Sequence, residues 1–169
     1  MAITINGTTG IAGVDGSAST PAVQGSDTNT GVIFGTDTVS IVTGGSTRAT
    51  VDSSGNFQYN SGYGSVATVY GCRAWVNFNG TGTVAIRASG NVTSITDNGT
   101  GYYTVNFTTA MADANYAGVA TCSNDIGQCF VTINTSTPPT TAAFTFLCMD
   151  RNTSFGAQDQ TFVSVSIFR

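Results

Sequence analysis

Residues Tyr70–Arg87 read YGCRAWVNFNGTGTVAIR, and this stretch decides the fold that we predict for the chain. Before its Gly-Thr-Gly turn, two sets of side chains alternate along the sequence: Cys72, Ala74, Val76 and Phe78 on one side, and Arg73, Trp75 and Asn77 on the other. A repeat of two residues is the spacing of an antiparallel strand with one buried face. The stretch therefore predicts two strands joined by a tight turn, the first of which covers a core.

The amino-acid composition extends this prediction to the whole chain. The 169 residues include no lysine, no glutamate and no histidine, and leucine occurs once, at Leu147. Leucine, glutamate and lysine, which favour helices, are almost absent, whereas β-branched and aromatic residues, which favour strands, are enriched. We therefore expect an all-β protein, of a length that suits one domain with an appended segment.

The strand pattern divides the chain into two parts at residue 63. Residues 1–63 hold short apolar pieces between Gly, Ser, Thr and Asp clusters, which cannot offset a backbone ordering cost of about 1–2 kcal/mol per residue. We predict an extended N-terminal arm of short strands, which other copies of the chain or the following domain would order. Residues 64–169 predict an antiparallel, jelly-roll-like β-sandwich with strands at 66–78, 83–88, 91–96, 102–109, 116–123, 129–135, 141–149 and 161–168.

Turn signals separate these strands. Asn124–Gly127 has the composition of a turn, and Thr137–Thr140 contains two prolines that interrupt strand pairing. Asp150–Gln160 is the longest stretch without a strand pattern. We predict that it forms an exposed loop at the tip of the sandwich.

Four cysteines lie in the second half of the chain, each inside a predicted strand among apolar neighbours: Cys72, Cys122, Cys129 and Cys148. They form no CxxC pair, and the chain has no histidine, so the usual zinc ligand sets are absent. We expect buried free thiols that pack as small apolar groups. Disulfides remain open as an alternative if the strands pair suitably.

The small number of charges limits the classes of partner. Only 8% of the residues are charged, the net charge is −4, and the five arginines form no cluster of the kind that binds nucleic acid. No segment has the roughly 20 apolar residues of a membrane helix, and the N-terminus lacks a secretory signal, so we predict no membrane insertion. A soluble monomer usually has about 25% charged residues. We therefore expect copies of the chain or other neighbours to cover much of the surface.

Catalytic motifs are absent from the sequence. Without histidine there is no Ser-His-Asp or Cys-His arrangement, and there is no phosphate-binding loop or dinucleotide fingerprint. A general acid or base would have to come from the nine aspartates, most of which lie in turn motifs. We predict no enzyme, no cofactor and no metal site. A pair of catalytic aspartates is the alternative, and Asp113, Asp150 and Asp159 are the least turn-like candidates.

Four residues are candidates for contact with a ligand or another subunit: Arg73, Trp75, Tyr102 and Tyr103. Exposed aromatic rings could stack on a sugar, whereas the alternative for each ring is a place in a core or a trimer interface. Trp75 is the only tryptophan in the chain, and it lies two residues from Arg73. In a chain with so few charges, we expect this arginine and aromatic pair to meet another subunit.

Two linked stretches suggest a family. Thr20–Phe57, TPAVQGSDTNTGVIFGTDTVSIVTGGSTRATVDSSGNF, contains a D-T-N-T-G turn before an apolar residue, then a G-x-x-R strand that ends in D-S-S-G. Tyr70–Tyr116 follows with the β-rich pattern described above. Together the two stretches resemble virion proteins of tailed bacteriophages, especially tail-fibre-like proteins of phages that infect cyanobacteria and other marine bacteria.

This resemblance implies a non-enzymatic structural protein that forms a homotrimer on the virion surface, after assembly in the host cytoplasm. Its partners would be other virion proteins of the capsid or tail, and a fibre-like or adhesin-like component would contact the host through a surface glycan. The alternative is a capsid decoration (cement) protein that stabilises the head lattice. The resemblance assigns no receptor-binding residue.

Overall fold

The computed structural model describes residues 4–6, 10–12, 14–123, 129–133, 135–150 and 156–169. Their regular secondary structure consists of β-strands, which confirms the all-β prediction. None of the described residues belongs to a helix long and apolar enough to cross a membrane. The chain divides into two compact units, Met1–Val69 and Tyr70–Arg169, so the boundary falls six residues later than we predict from the sequence.

The N-terminal unit is built from short antiparallel strands: β1 (Thr4–Asn6), β2 (Gly10–Ala12), β3 (Gly16–Ser17), β4 (Thr20–Pro21), β5 (Val23–Gln24), β6 (Gly31–Gly35), β7 (Thr38–Thr43), β8 (Ser46–Val51), β9 (Phe57–Tyr59) and β10 (Ala67–Thr68). β1 pairs with β2 and β3 pairs with β4, while β5 to β10 form one six-stranded sheet in chain order. Gly44 and Gly45 connect β7 to β8 with positive φ angles of 58° and 71°, as a type I′ hairpin turn requires.

This sheet differs from the extended arm that we predict for residues 1–63. The strands are short, as expected, but the chain turns back after each of them, in two residues between β6 and β7 and between β7 and β8, so their backbone groups pair within the chain. Among the described residues of the unit, only Pro21, Ser40 and Val42 are buried. The sheet is therefore regular in its hydrogen bonding and covers little apolar surface of its own.

The C-terminal unit contains nine strands: β11 (Cys72–Asn79), β12 (Ala85–Gly90), β13 (Val92–Gly99), β14 (Tyr102–Phe107), β15 (Ala117–Cys122), β16 (Cys129–Ile133), β17 (Ala143–Asp150), β18 (Gly156–Ala157) and β19 (Val163–Phe168). The first sheet has the order β12-β11-β19-β15, and the second has the order β13-β14-β17-β16 with β18 beside β17. All pairs are antiparallel. Apart from the two-residue strand β18, the two sheets have the eight strands of a jelly roll.

The strand predictions agree closely with this unit. Each of the eight predicted strands is present, and the first, 66–78, is divided at the unit boundary into β10 and β11. The predicted loop at Asp150–Gln160 contains the short strand β18, and its residues 151–155 lie outside the described residues. The turn predicted at Asn124–Gly127 also lies outside them.

One apolar core lies between the two sheets. On β11, Ala74, Val76 and Phe78 are buried, as their alternation predicts. Phe78 meets Tyr103 of the second sheet edge to face, with 5.1 Å between ring centroids. At Gly118 on β15 a Cβ atom would lie 2.6 Å from the Phe144 ring, so the core reaches the backbone there. These contacts confirm the sandwich.

Asn91 turns the chain from the first sheet to the second. It is the single residue between β12 and β13, with a positive φ of 56°. Its amide nitrogen donates to the carbonyl oxygens of Arg73 and Thr109, each at 3.1 Å, and its amide oxygen accepts the Thr109 N–H at 2.7 Å. The side chain thus satisfies backbone groups at a corner where strand pairing changes.

The cysteines correct the prediction of four buried thiols. Cys122 and Cys129 form a disulfide with a Cα–Cα distance of 6.2 Å, which joins the end of β15 to the start of β16 and so links the two sheets. Cys72 is an exposed free thiol, because it lies at the outer end of β11. Cys148 alone among the four is free and buried, as expected.

We expect the Cys122–Cys129 disulfide to stabilise the sandwich measurably. It closes a loop with a sequence separation of 7, and the loss of that closure should lower the free energy of unfolding by about 2.5 kcal/mol. Urea unfolding of the Cys122→Ser/Cys129→Ser variant, compared with the oxidised wild type, measures the difference. The Cys72→Ser variant is the control and should unfold like the wild type. Equal midpoints for all three proteins would contradict the role of the disulfide.

Candidate interaction surfaces

One face of the six-stranded sheet is apolar from edge to edge. Cross-strand pairing places Val39 opposite Val51, and Ile41 opposite Ala49, in the middle of the sheet. The pairing continues outward through Phe34 on β6 and Phe57 on β9. We name this surface the N-terminal apolar face and define it by Val23, Val32, Phe34, Val39, Ile41, Ala49, Val51, Phe57, Tyr59 and Ala67.

The N-terminal apolar face is open to solvent. Its seven large side chains at Val23, Phe34, Val39, Ile41, Val51, Phe57 and Tyr59 are each between 41% and 52% exposed. A hollow on this face, between Val39, Ile41 and Phe57, has a volume of about 70 Å³, too small for a drug-sized ligand. Contiguous apolar surface on a protein marks a site of interaction with another macromolecule. The shape of this face therefore suits a flat partner.

The opposite face of the same sheet is polar or covered. The hydroxyl groups of Ser40 and Thr50 form a hydrogen bond of 2.8 Å across β7 and β8. The β3–β4 hairpin lies against β6, where the Phe34 N–H donates to the Asp15 carbonyl oxygen at 2.9 Å. One face of the sheet is therefore apolar and exposed, and the other is polar or covered. This difference indicates that the apolar face makes a specific contact.

Arg73 and Trp75 are both exposed on β11, and the structure excludes a place for Trp75 in a core. The indole is 44% exposed and lies across Gly90, its cross-strand neighbour on β12. A Cβ atom at residue 90 would be 2.5 Å from the indole nitrogen, so the ring lies flat only because this neighbour is glycine. On its other side Trp75 pairs with Ser166, which pairs with Val119. These residues form a mixed aromatic, hydroxyl and aliphatic row on the outer face of the first sheet.

A cleft adjoins Arg73 at the sheet corner. It has a volume of about 380 Å³ and is lined by Cys72, Arg73, Asn91, Thr109, Ala110 and Met111. The Asn91 amide is already committed to backbone groups, so the guanidinium of Arg73 is the charged group that the cleft offers a ligand. Such a cleft suits a polar or anionic group next to the Trp75 ring.

Tyr103 is a core residue and is wrong as a contact candidate. Its side chain is 0% exposed, and its hydroxyl lies 2.7 Å from Asp159 Oδ1 and 2.9 Å from the Gly80 carbonyl oxygen. Asp159 Oδ1 also accepts the Gly101 N–H at 2.7 Å. Burial and the hydrogen bond to Asp159 raise the pKa of Tyr103 well above its ordinary value. Tyr103 therefore connects the core to two loops.

Tyr102 points to the opposite side of the same strand and is partly buried. Its hydroxyl forms a 2.8 Å hydrogen bond with the Thr137 hydroxyl. It belongs to the second sheet, whereas Arg73 and Trp75 belong to the first. The four candidates are thus found on two different sheets and in the core, and only Arg73 and Trp75 remain as a pair.

A polar network on the outer face of the second sheet was not predicted from the sequence. The Asn106 amide donates to the Ser94 and Thr96 hydroxyls at 3.1 and 2.9 Å, and Thr104 and Thr145 share a 2.9 Å hydrogen bond. Two-residue alternation of Ser, Thr and Asn on neighbouring strands is the signal that could have revealed it. The network uses these groups within the fold and leaves an uncharged surface.

The aspartates make structural contacts. As predicted, Asp27, Asp52 and Asp97 accept backbone N–H groups two residues further on, and the Asn56 N–H holds the pKa of Asp52 below its ordinary value. Asp113, predicted to be less turn-like, also accepts the Asn115 N–H and pairs with Arg169. In the part of the chain that the structure describes, no group of three His, Cys, Asp or Glu residues could hold a metal ion.

Comparisons of the chain with family models, with curated proteins and with solved structures found no match in any of the three. The likeness to phage virion proteins therefore rests on Thr20–Phe57 and Tyr70–Tyr116 alone. The family stays a prediction, and the function proposed below depends on the surfaces described above.

The buried phenols and the buried thiol should make the sandwich sensitive to alkali. Burial raises the pKa of Cys148 and of Tyr116 to about 12, and it raises that of Tyr103 as well. In the unfolded chain the same groups ionise near their ordinary values of about 9 and 10. Because the folded state retains protons that the unfolded state loses, stability should be complete below pH 9 and fall as the pH rises toward 12. Urea midpoints measured from pH 8 to pH 11 check this, and the Tyr103→Phe variant should show a shallower decline. A constant wild-type midpoint would contradict it.

Gly90 should control the position of the indole ring. We expect Gly90→Ala to lift Trp75 away from the sheet, because the new methyl group would collide with the ring. Since Trp75 is the only tryptophan, its fluorescence reports this change directly, as a shift of the emission maximum to longer wavelength. Gly25→Ala is the control for the loss of a glycine, because no atom lies within 4 Å of the added Cβ and the backbone there is not left-handed. An unchanged spectrum for Gly90→Ala would refute the stacked arrangement.

Proposed function

We propose that this protein is a non-enzymatic structural component on the surface of a tailed bacteriophage particle, where it works as a homotrimeric, fibre-like protein that contacts the host. The N-terminal unit mediates assembly and attachment to other virion proteins, and the sandwich is displayed. The observation that carries the proposal is the N-terminal apolar face, which a protein built to act as a free monomer would not expose.

The composition supports an assembled protein. With only 8% charged residues and a net charge of −4, the chain has little electrostatic repulsion between copies. Its polar surface is made largely of Ser, Thr and Asn side chains, which bond to one another on the second sheet. Such a surface suits a protein with a fixed place in a particle.

The sandwich supports the display role. Its core joins both sheets, and the Cys122–Cys129 disulfide links β15 to β16 at their edges. The outer faces of the two sheets are therefore held in a rigid arrangement. The Trp75 ring lies flat beside Ser166 and close to the cleft at Arg73. An aromatic face with hydroxyl groups around it can stack on the apolar side of a sugar ring. A host surface glycan is therefore the ligand that we propose for this face.

The carboxylates support a non-enzymatic role. Retaining and inverting glycosidases require two carboxyl groups that face a common substrate. Asp113 is engaged with Arg169, and Asp159 accepts bonds from Gly101 and Tyr103 inside the sandwich. Asp113 and Asp159, two of the three candidates from the sequence, are therefore used to hold the fold.

Electron microscopy of purified particles tests this function. We expect a few dozen copies at the tail, and we expect deletion of residues 1–69 to abolish incorporation, while the sandwich keeps its own core. A Trp75→Ala particle is the control, since it should carry the protein but adsorb less well to host cells. Occupancy across the head lattice would instead identify a capsid decoration protein. Incorporation of the truncated chain would contradict the assembly role of the N-terminal unit.

A further inference from the structure

We propose that the N-terminal apolar face is covered by the same face of other copies of this chain, so that the six-stranded sheets form the core of the oligomer. This inference deepens the proposed function and takes the number of copies from the proposed trimer. The contact between the faces follows from the sheet alone.

The face has the area that a specific contact between copies needs. The six strands have two, five, six, six, three and two residues. At about 3.3 Å per residue and about 4.8 Å between strands, each sheet offers roughly 380 Å². Three such faces around one axis bury roughly 1,100 Å², just above the lower bound for a specific protein interface. The hollow between Val39, Ile41 and Phe57 has a volume of about 70 Å³, which side chains of a facing sheet can fill as they interdigitate.

The face is also complementary to itself. Its middle strands β7 and β8 carry aliphatic side chains, among them Val39, Ile41 and Val51, while the aromatic side chains lie on the flanking strands β6 and β9. When the face packs symmetrically against the same face of another copy, aliphatic side chains therefore meet aliphatic side chains in the middle of the interface. None of the ten residues that define the face is charged, so no like charges would meet across such an interface.

The described residues of the C-terminal unit offer no comparable apolar surface as an alternative partner. Its exposed large apolar side chains belong to separate places: Tyr70 before β11, Trp75, Ile86, Val119 and Phe168 on the first sheet, Phe130 and Ile133 on β16, and Phe162 before β19. Several of these side chains have polar neighbours, such as Ser164 and Ser166 of β19. Another copy of the N-terminal apolar face therefore matches it in size and in apolar character.

Lysine substitution in the full-length chain tests the inference. Val51→Lys places a charge near the centre of the face, whereas Val119→Lys makes the same change at a strand residue of similar exposure in the sandwich, 54% against 45%. Native mass spectrometry of the wild type and of Val119→Lys should give a multiple of 17.3 kDa at micromolar concentration. Val51→Lys should give the mass of one chain, with a dissociation constant raised roughly 100-fold or more.

A gentler variant guards against loss of folding. Ile41→Thr/Val51→Thr keeps two β-branched residues that strands favour, so the sheet should still form while the contact weakens. Its circular dichroism should match the wild type, and its oligomer should dissociate at a higher protein concentration than the wild-type oligomer does. An unchanged dissociation constant for this variant would overturn the inference even if Val51→Lys proved to be unfolded.

Three further outcomes are decisive. A monomeric wild type would overturn the inference and leave the face to the sandwich or to a different protein. An oligomer that survives both lysine substitutions would place the contact elsewhere. A dimer that Val51→Lys dissociates would support this interface and contradict the proposed trimer, and a protein found away from phage particles would refute the proposed function while this contact stood.

Discussion

The packing of Tyr103 between the two sheets is the interaction on which the sandwich depends. Its ring lies 5.1 Å from Phe78 of the first sheet and 6.1 Å from Phe146 beside it. Its hydroxyl reaches out of the core to Asp159 and Gly80, in the two segments that flank this end of the fold. One side chain therefore joins the apolar interior to the loops that close it, and substitutions there would disturb both.

The two units solve the problem of a one-sided sheet in different ways. In the sandwich, each sheet covers the other, and the buried cluster includes residues of β11, β14, β17 and β19. In the N-terminal unit, six strands pair in one sheet, but the described residues of that unit form no second layer over its apolar side. Since an apolar sheet face has to be buried to contribute to stability, the N-terminal unit is the part for which we propose an assembly.

Alternation predicted most of the sandwich and part of the candidate site. It placed Ala74, Val76 and Phe78 inside and Trp75 outside, and it could have separated Tyr103 from Tyr102, because Tyr103 shares its side with Val105. Alternation could not predict the Cys122–Cys129 disulfide, because the pairing of these cysteines depends on how two different sheets meet. The N-terminal sheet was missed because strands of two to six residues give too few alternations to reveal a common face.

The position of β11 has a mechanical consequence. It is the first strand after the unit boundary, yet it lies inside its sheet, with β12 on one side and β19 on the other. The hydrogen bonds of antiparallel ladders run perpendicular to the strands. A pull along β11 from the N-terminal side would therefore load two ladders in shear at once, where many bonds must break together. A sandwich attached in this way can withstand tension that would peel an edge strand away bond by bond.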